Sequence, residues 1–228
     1  MKALILAGGM GKRLRPLTDD KPKPMIFISN KPILEWQIMW LKSHNIREVV
    51  LCTGYMSENI TEYFGDGEKF GVSIEYSKEE EPLGTGGALM QSEPFLKEHS
   101  NFIVMNGDIM SNIDPNSLIL NLTDGLIGTI AVVALRSPFG EIEIKEDGRI
   151  SRFTEKPILN DNWINAGIYC FSNKIFNYLS SVGSLESDVF PLLAQENKLS
   201  AIKQNNVKWR SIDSHKDIEE SQKEFVTE

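Results

Sequence analysis

Two cysteines and three histidines are all that 228 residues contain, which leaves little material for a disulfide framework or a Cys/His metal cluster. Cys52 and Cys170 both sit inside apolar runs, VVLC and GIYCF. They read as small core hydrophobes in a chain expected in a reducing compartment. Long apolar runs are also missing. The opening stretch Ala3 to Ala7 is too short for a signal-peptide core or a membrane span, so no membrane partner and a cytoplasmic protein are expected. There is no Pro/Ser/Gly-rich linker, no internal repeat and no low-complexity tract, and one compact domain over 1–228 with two lobes, 1–125 and 126–228, is expected. A general excess of basic charge is absent too, since the formal net charge is −8; a long nucleic-acid surface would normally make the whole domain basic, and no nucleic-acid partner is expected.

What is present is an ordinary globular composition, 41% apolar and 25% charged, with its charge unevenly placed. Residues 1–31 carry seven Lys/Arg against two Asp/Glu, and the other 197 carry 17 against 30. A basic amino end on an acidic protein points to a local anionic ligand.

The pattern along the chain alternates. Ala3 to Ala7 reads as a buried strand breaking into Gly8-Gly9-Met10-Gly11; Ile33, Leu34, Gln37, Ile38 and Leu41 fall at helical spacing; Val49 to Cys52 is a second buried strand. A short helix near Glu58 to Phe64, a strand at Val72 to Tyr76, a helix after the second glycine cluster Gly84-Thr85-Gly86-Gly87, and a strand Phe102 to Met105 running into Asn106-Gly107-Asp108 repeat the order. Strands alternating with helices predict an α/β fold with a Rossmann-like, doubly wound sheet. From Leu126 the texture turns to β, with Leu126 to Leu135, Gly140 to Ile144 and Ile164 to Phe171. The sheet is therefore expected to be mixed overall, with a smaller β-rich lobe covering one end. Helices near Asn173 to Leu179 and Asp188 to Glu196, a strand near Leu199 to Lys203 and a final helix from about Lys216 complete the prediction.

The glycine run Gly8-Gly9-Met10-Gly11 follows the first strand at the carboxyl edge of a parallel sheet, where such folds bind ligands. Glycines there let the backbone approach a phosphate and offer its N–H groups. Two familiar loops do not match: Leu14 stands where a dinucleotide fingerprint needs glycine, and Arg13 where a P-loop needs Ser or Thr. A plain tight turn remains the alternative. Lys12, Arg13, Arg15, Lys21 and Lys23 add cations suited to phosphate, Arg bidentately and Lys as a point charge; otherwise they form a solvated basic face. Asp108 ends a buried strand and could hold a metal or form a turn. His44, His99 and His215 fall outside these motifs.

LAGGMGKRLRPLT (6–18) followed by KPKPM (21–25) resembles the N-terminal signature of the sugar-1-phosphate nucleotidyltransferases, which join an NTP to a sugar 1-phosphate with release of pyrophosphate. EPLGTGGA (81–88), NGD (106–108), FGEIEI (139–144), EKP (155–157) and NAGIY (165–169) follow in the family's order across residues 1–171. The resemblance implies that 1–125 binds nucleotide and that 126–228 binds sugar and completes a metal site. It implies that Gly8, Gly9, Gly11 and Arg13, beside Leu6 and Ala7, hold the triphosphate, and that Lys23 reaches the phosphate under attack. Glu79, Pro82, Gly84 and Thr85 are implied at base and ribose, and Asn106 and Asp108 at the nucleotide and its Mg²⁺. Gly140, Glu155, Lys156, Asn165 and Gly167 are implied at the sugar phosphate, with Asn165 supplying both donor and acceptor. Arg13, Lys23 and Asp108 form the implied catalytic set. Such a reaction brings two anions together, so charge neutralisation and alignment suffice and no enzyme nucleophile is needed.

The sequence departs from the family at one place. Many relatives carry Trp-x-Asp-Ile-Gly or Trp-x-Asp-Ile-Asp near the end, and here Trp209-Arg210-Ser211-Ile212-Asp213 stands. Ser211 takes the usual aspartate's place, and Asp213, two residues on, shares its face of an extended strand; Asp213 is the expected second metal ligand. For the base, Glu79 stands where pyrimidine-reading relatives often place Gln. A carboxylate only accepts, and guanine offers adjacent N1–H and N2–H donors, so GTP is favoured; a solvated run Glu79-Glu80-Glu81 is the alternative. PLGTGGA also resembles the mannose- and heptose-1-phosphate guanylyltransferases. A cytidylyltransferase for choline phosphate or a similar alcohol, and a catalytically silent regulatory subunit that binds nucleotide sugar, are the rival readings. The first is suggested by the Ile-Asp-Ser ending and the second by Ser211. With fifteen residues after Asp213, the left-handed β-helix that some relatives append is not expected, and a homo-oligomer is left open.

Overall fold

A computed structural model describes residues 1–225. The elements that place the site are β1 (Lys2–Leu6), α1 (Ile33–Ser43), β2 (Glu48–Thr53), α2 (Ser57–Phe64), β3 (Ser73–Lys78), α3 (Gly84–Gln91), β4 (Asn101–Asn106), β5 (Ile109–Ser111), β6 (Gly128–Arg136), β7 (Glu141–Ile144), β8 (Ile150–Thr154), β9 (Ile158–Ser172), α4 (Phe190–Gln195), β10 (Leu199–Gln204), β11 (Trp209–Ser211) and α5 (His215–Phe225). Seven strands form one sheet in the order β10-β6-β9-β4-β1-β2-β3. β1 runs parallel to β2 and β4, β3 parallel to β2, and β10 parallel to β6. β9 is antiparallel to both β4 and β6.

The apolar runs are continuous because helices cover both faces of the sheet. Side chains alternate along β1: Ala3 and Ile5 join Leu34, Ile38 and Leu41 of α1 on one face, while Leu4 joins Leu89 of α3, Phe102, Tyr169 and Phe190 on the other. Full burial of each such aliphatic chain stabilises the fold by roughly 1.5–3 kcal/mol.

The mixed, doubly wound sheet agrees with expectation, and three details differ. β6, β9 and β10 extend the central sheet rather than covering its end, because the 15 residues of β9 pair with β4 on one side and β6 on the other. The β7–β8 hairpin forms a two-stranded sheet of its own, as do β5 with β11 and the short pair Phe27–Ile28 and Lys31–Pro32. The apolar face of the β7–β8 hairpin, Ile142, Ile144, Ile150 and Phe153, is 45–68% exposed and belongs to no core. Second, α3 begins at Gly84, inside the glycine cluster rather than after it. Third, the stretch near 173–179 is a 3₁₀ helix, Asn173–Tyr178, and a π-helical turn, Leu185–Val189, precedes α4. Among the described residues no helix is long and apolar enough to cross a membrane. Both cysteines are buried thiols, and burial raises each pKa to about 12.

Candidate active site

β1, β2, β3 and β4 run parallel, which puts their carboxyl ends together, and the segments leaving β1, β3 and β4 line a cleft of about 330 Å³. Leu6, Gly8 and Gly9 come from the end of β1 and the loop after it; Glu79 and Pro82 from the passage between β3 and α3; Gly84 and Thr85 from the first turn of α3; Asn106 and Asp108 from the end of β4; and Lys23 from between β1 and α1. Ten residues expected at the nucleotide thus line one cleft. Pro24, Ala88 and Gly107 line it as well, without having been singled out.

Close backbone approach explains several of these positions. Gly107 N–H donates to the Leu6 carbonyl at 2.9 Å, and a β-carbon on Gly107 would lie 2.6 Å from that oxygen. The 106–108 turn can pack on β1 only with glycine at its centre. Gly8 lies against the Glu79 carboxylate. Ala7 is buried, with its N–H donating to the Cys52 carbonyl; it supports the loop from beneath.

The charged centre assembles three distant segments. Lys23 Nζ donates to Asp108 Oδ2 at 2.7 Å and to Asp213 Oδ1 at 3.0 Å. Arg13 Nη2 lies 2.9 Å from the same Asp213 oxygen, with its side chain 79% exposed. Asp213 reaches Asp108 because β11 pairs antiparallel with β5, Ser211 opposite Ile109, and Ile212 N–H donates to the Asp108 carbonyl at 2.9 Å. Ser211 Oγ donates to Asp213 Oδ2 at 2.7 Å, although the strand itself ends at Ser211 and Asp213 lies just beyond it. Burial pushes the Asp213 carboxyl up, but the hydrogen bonds from Ser211 and Lys23, with the charges of Lys23 and Arg13, hold it below its ordinary 3.8.

Two carboxylates flanking a single cation suit a divalent ion that draws its other ligands from phosphate oxygens and water. Among the described residues no group of three or more His, Cys, Asp or Glu is placed to hold a metal alone. The base-side carboxylate has different surroundings. Glu79 Oε2 accepts the Leu83 N–H at 3.1 Å, and burial raises its pKa above the ordinary 4.5 despite that bond.

The second glycine cluster has a packing role beside its place in the cleft. Gly183 O accepts N–H bonds from Gly86 at 2.9 Å and Gly87 at 3.3 Å, and Gly183 N–H donates to the Leu83 carbonyl. A β-carbon on Gly84, at φ +76°, would lie 2.4 Å from Gly183 O, and one on Gly87 2.6 Å from Ser181 O. Thr85 Oγ1 donates to Glu186 at 2.7 Å and accepts the Leu185 N–H at 2.8 Å.

On the other side, Asn165 bonds locally: Oδ1 accepts the Gly167 N–H at 2.9 Å and Nδ2 donates to the Tyr169 hydroxyl at 2.8 Å. These bonds shape the turn that lays Gly167, at φ +70°, against Asn106, and leave one N–H and one lone pair of the Asn165 amide for other partners. Glu155 and Lys156 are an exposed ion pair at 3.6 Å. Gly140 lies against Phe153 and Glu155 in the hairpin lobe. Neither these three nor Gly11 and Arg13 line the central cleft.

Sequence reasoning missed Gln37. Its buried amide nitrogen donates to the carbonyls of Asn106 at 2.8 Å and Ile109 at 2.9 Å, tying the Asp108 turn to α1. A glutamine at an apolar-face position of a helix was the available signal. Glu186 was missed too; it lies 101 positions from the Thr85 it binds, and nothing local marks it.

The fold and this site define a doubly wound α/β protein with a cation-centred cleft at the carboxyl edge of its sheet. The chain belongs to the nucleotidyl transferase family, whose sequence model matches residues 2–228. It is 38% identical over 226 residues to mannose-1-phosphate guanyltransferase beta-B of Xenopus laevis, covering 96% of this chain and 62% of that protein. Against the D-glycero-alpha-D-manno-heptose 1-phosphate guanylyltransferase of Campylobacter jejuni it is 40% identical over 182 residues, 78% of each. A crystal structure of HddC from Yersinia pseudotuberculosis complexed with GMP-PN superposes with a TM-score of 0.76 at 29% identity, covering 98% of this chain and 99% of that one.

Proposed function

We propose that this protein is a sugar-1-phosphate guanylyltransferase: a sugar-phosphate oxygen attacks the α-phosphorus of GTP in line, the new P–O bond forms, and pyrophosphate leaves. The observation that carries the reading is the Lys23 ammonium held between Asp108 and Asp213 at the mouth of a glycine-walled cleft. Two phosphorylated substrates repel each other, and a fixed positive charge at their meeting point lowers that barrier. The glycine loop brings backbone N–H groups to the triphosphate, and Arg13, exposed beside Asp213, is free to swing onto its outer phosphates. Lys156 of the hairpin lobe would meet the sugar phosphate and Glu155 the sugar hydroxyls. Asp108 and Asp213 would hold Mg²⁺, which supplies positive charge to the phosphate oxygens when bound.

Guanine is favoured because the Glu79 carboxylate, an acceptor only, faces the cleft where a base would enter. The GMP-PN held by HddC and the guanylyltransferase relatives support that choice. Their names make mannose- and heptose-type 1-phosphates the first acceptors to try. Against a catalytically silent regulatory subunit, Ser211 does not empty the metal position, since it orients Asp213 into it.

Purified protein, Mg²⁺ and a matrix of NTPs with sugar 1-phosphates, followed by pyrophosphate release, test the reading. Release with GTP and a sugar 1-phosphate is expected. Preference for UTP or dTTP would overturn the Glu79 argument, and no release with any pair would overturn the reaction.

A further inference from the structure

Asp213 sits on a short turn between β11 and α5, and its direction depends on what holds that turn. One side is fixed by the bond from Ile212 N–H to the Asp108 carbonyl. The other is fixed by Asp217 on the first turn of α5. Asp217 Oδ2 accepts the Asp213 N–H at 3.1 Å, the Ser214 N–H at 2.8 Å and the Ser214 hydroxyl at 2.8 Å. Three donors converging on one carboxylate oxygen make a charge-assisted staple stronger than neutral bonds would be.

Asp217 is held from behind. Its Oδ1 lies 3.6 Å from Arg210 Nη1, and the same guanidinium binds Glu224 through two nitrogens, at 2.6 and 3.2 Å, and pairs with Glu220. Asp217, Glu220 and Glu224 fall at i, i+3 and i+7 and share one face of α5. Arg210, only 15% exposed at its side chain, seats that face on β11. A helix cap alone would not need this. Ser214 and Asp217 would suffice to start α5, and Asp213 could then turn either way.

Resting on the guanylyltransferase reading above, we propose that Asp217 is a positioning residue: seated by Arg210, its carboxylate fixes the backbone at 213–214 so that Asp213 faces Asp108 across Lys23, and α5 thereby serves the metal-binding centre. It touches neither Lys23 nor the cleft, and acts through Asp213.

The test compares D217A and S214A in the full chain. The probe free of metal and of activity is the Lys23 amine, whose acetylation by acetic anhydride is followed by mass spectrometry. In the wild-type protein both carboxylates shield it. D217A should raise Lys23 labelling several-fold and leave Lys12 and Lys21 unchanged. S214A removes the capping hydroxyl but keeps the bond from Asp213 N–H to Asp217; it should cost thermal stability without exposing Lys23. In turnover assays D217A should raise the Mg²⁺ concentration giving half the maximal rate by about tenfold, as loss of a residue that orients a metal ligand does, while KM for GTP changes little. Unchanged Lys23 labelling in D217A would overturn the proposal, and so would equal exposure in S214A at the same loss of stability. A wild-type protein that turns over no NTP would defeat the guanylyltransferase reading instead, and the labelling comparison would still decide the role of Asp217.

Discussion

A methyl group on Gly11 would come within 2.7 Å of the β-carbon of Lys23. Gly11 adopts φ +62°, its carbonyl accepts the Thr18 hydroxyl, and the stem of Lys23 rests in the space that a side chain would fill. The first glycine loop therefore seats the central cation as well as approaching the ligand.

Gly11→Ala should displace Lys23. The left-handed backbone alone costs about 1–2 kcal/mol for an L side chain, so the melting temperature should fall by several degrees and turnover should drop beyond what stability explains. Circular dichroism melts beside pyrophosphate assays check this, and a variant with wild-type turnover would remove Gly11 from the seating of Lys23.

Lys23→Ala should lower kcat by roughly 10²–10³ with the fold retained. In the metal-free protein it leaves Asp108 and Asp213 facing each other with only Arg13 nearby, and added Mg²⁺ should restore more thermal stability to the variant than to the wild type. A rate near that of the wild type would end the assignment.

Asp213 predicts an acid-side effect on stability. Its folded pKa lies below the ordinary 3.8, so its pairing stabilises the fold above that value and the gain is lost as pH falls through the lower folded value. The difference in melting temperature between wild type and Asp213→Asn, without metal, should be flat from neutral pH down to about pH 5 and then close. A difference that does not narrow as pH falls below the ordinary carboxylate range would contradict the assignment.

Glu79 predicts the opposite direction. Burial raises its pKa above 4.5, and guanine needs the ionised form as acceptor. KM for GTP should therefore fall as pH rises from the ordinary carboxylate value, and Glu79→Gln should flatten that profile and shift preference toward UTP or dTTP. A GTP profile untouched by the substitution would separate Glu79 from the base.

Gly84→Ala, at φ +76° with Gly183 O in the way, should destabilise by about 1–3 kcal/mol from overpacking on top of its backbone strain. Denaturant melts measure it. A neutral result would mean that the 181–184 segment yields easily.

The parallel half of the fold was legible because its strands are continuous apolar runs bounded by glycine or polar turns. β1, β2 and β4 fall within a residue or two of expectation. Pairing of the second half was not. β9 reads as an isolated run from Ile164, and only tertiary pairing with β6 extends it back to Ile158 and so to fifteen residues. At the site, Lys23 and Asp108 were named on the resemblance to the nucleotidyltransferases and Asp213 on that resemblance together with strand spacing, and the three do come together. The turn-closing bonds of Asn165 were not legible, because an amide that could bind a ligand can equally close its own turn. Asp217 and Glu186 act on partners brought near only by folding or by a helix start, and their residue types alone announce nothing, whereas Gln37 was marked only by being an amide on the apolar face of α1.

Gly183 closes the amino end of α3 with its own carbonyl. That oxygen takes the Gly86 and Gly87 N–H groups, so two of the amide protons an oxyanion could collect at this terminus are already used from within. Negative charge entering the cleft is left to the Lys23 ammonium, the exposed Arg13 guanidinium and the backbone of the first glycine loop, and the ionic strength of the solution will tune its attraction far more than it would for an anion buried against a helix end.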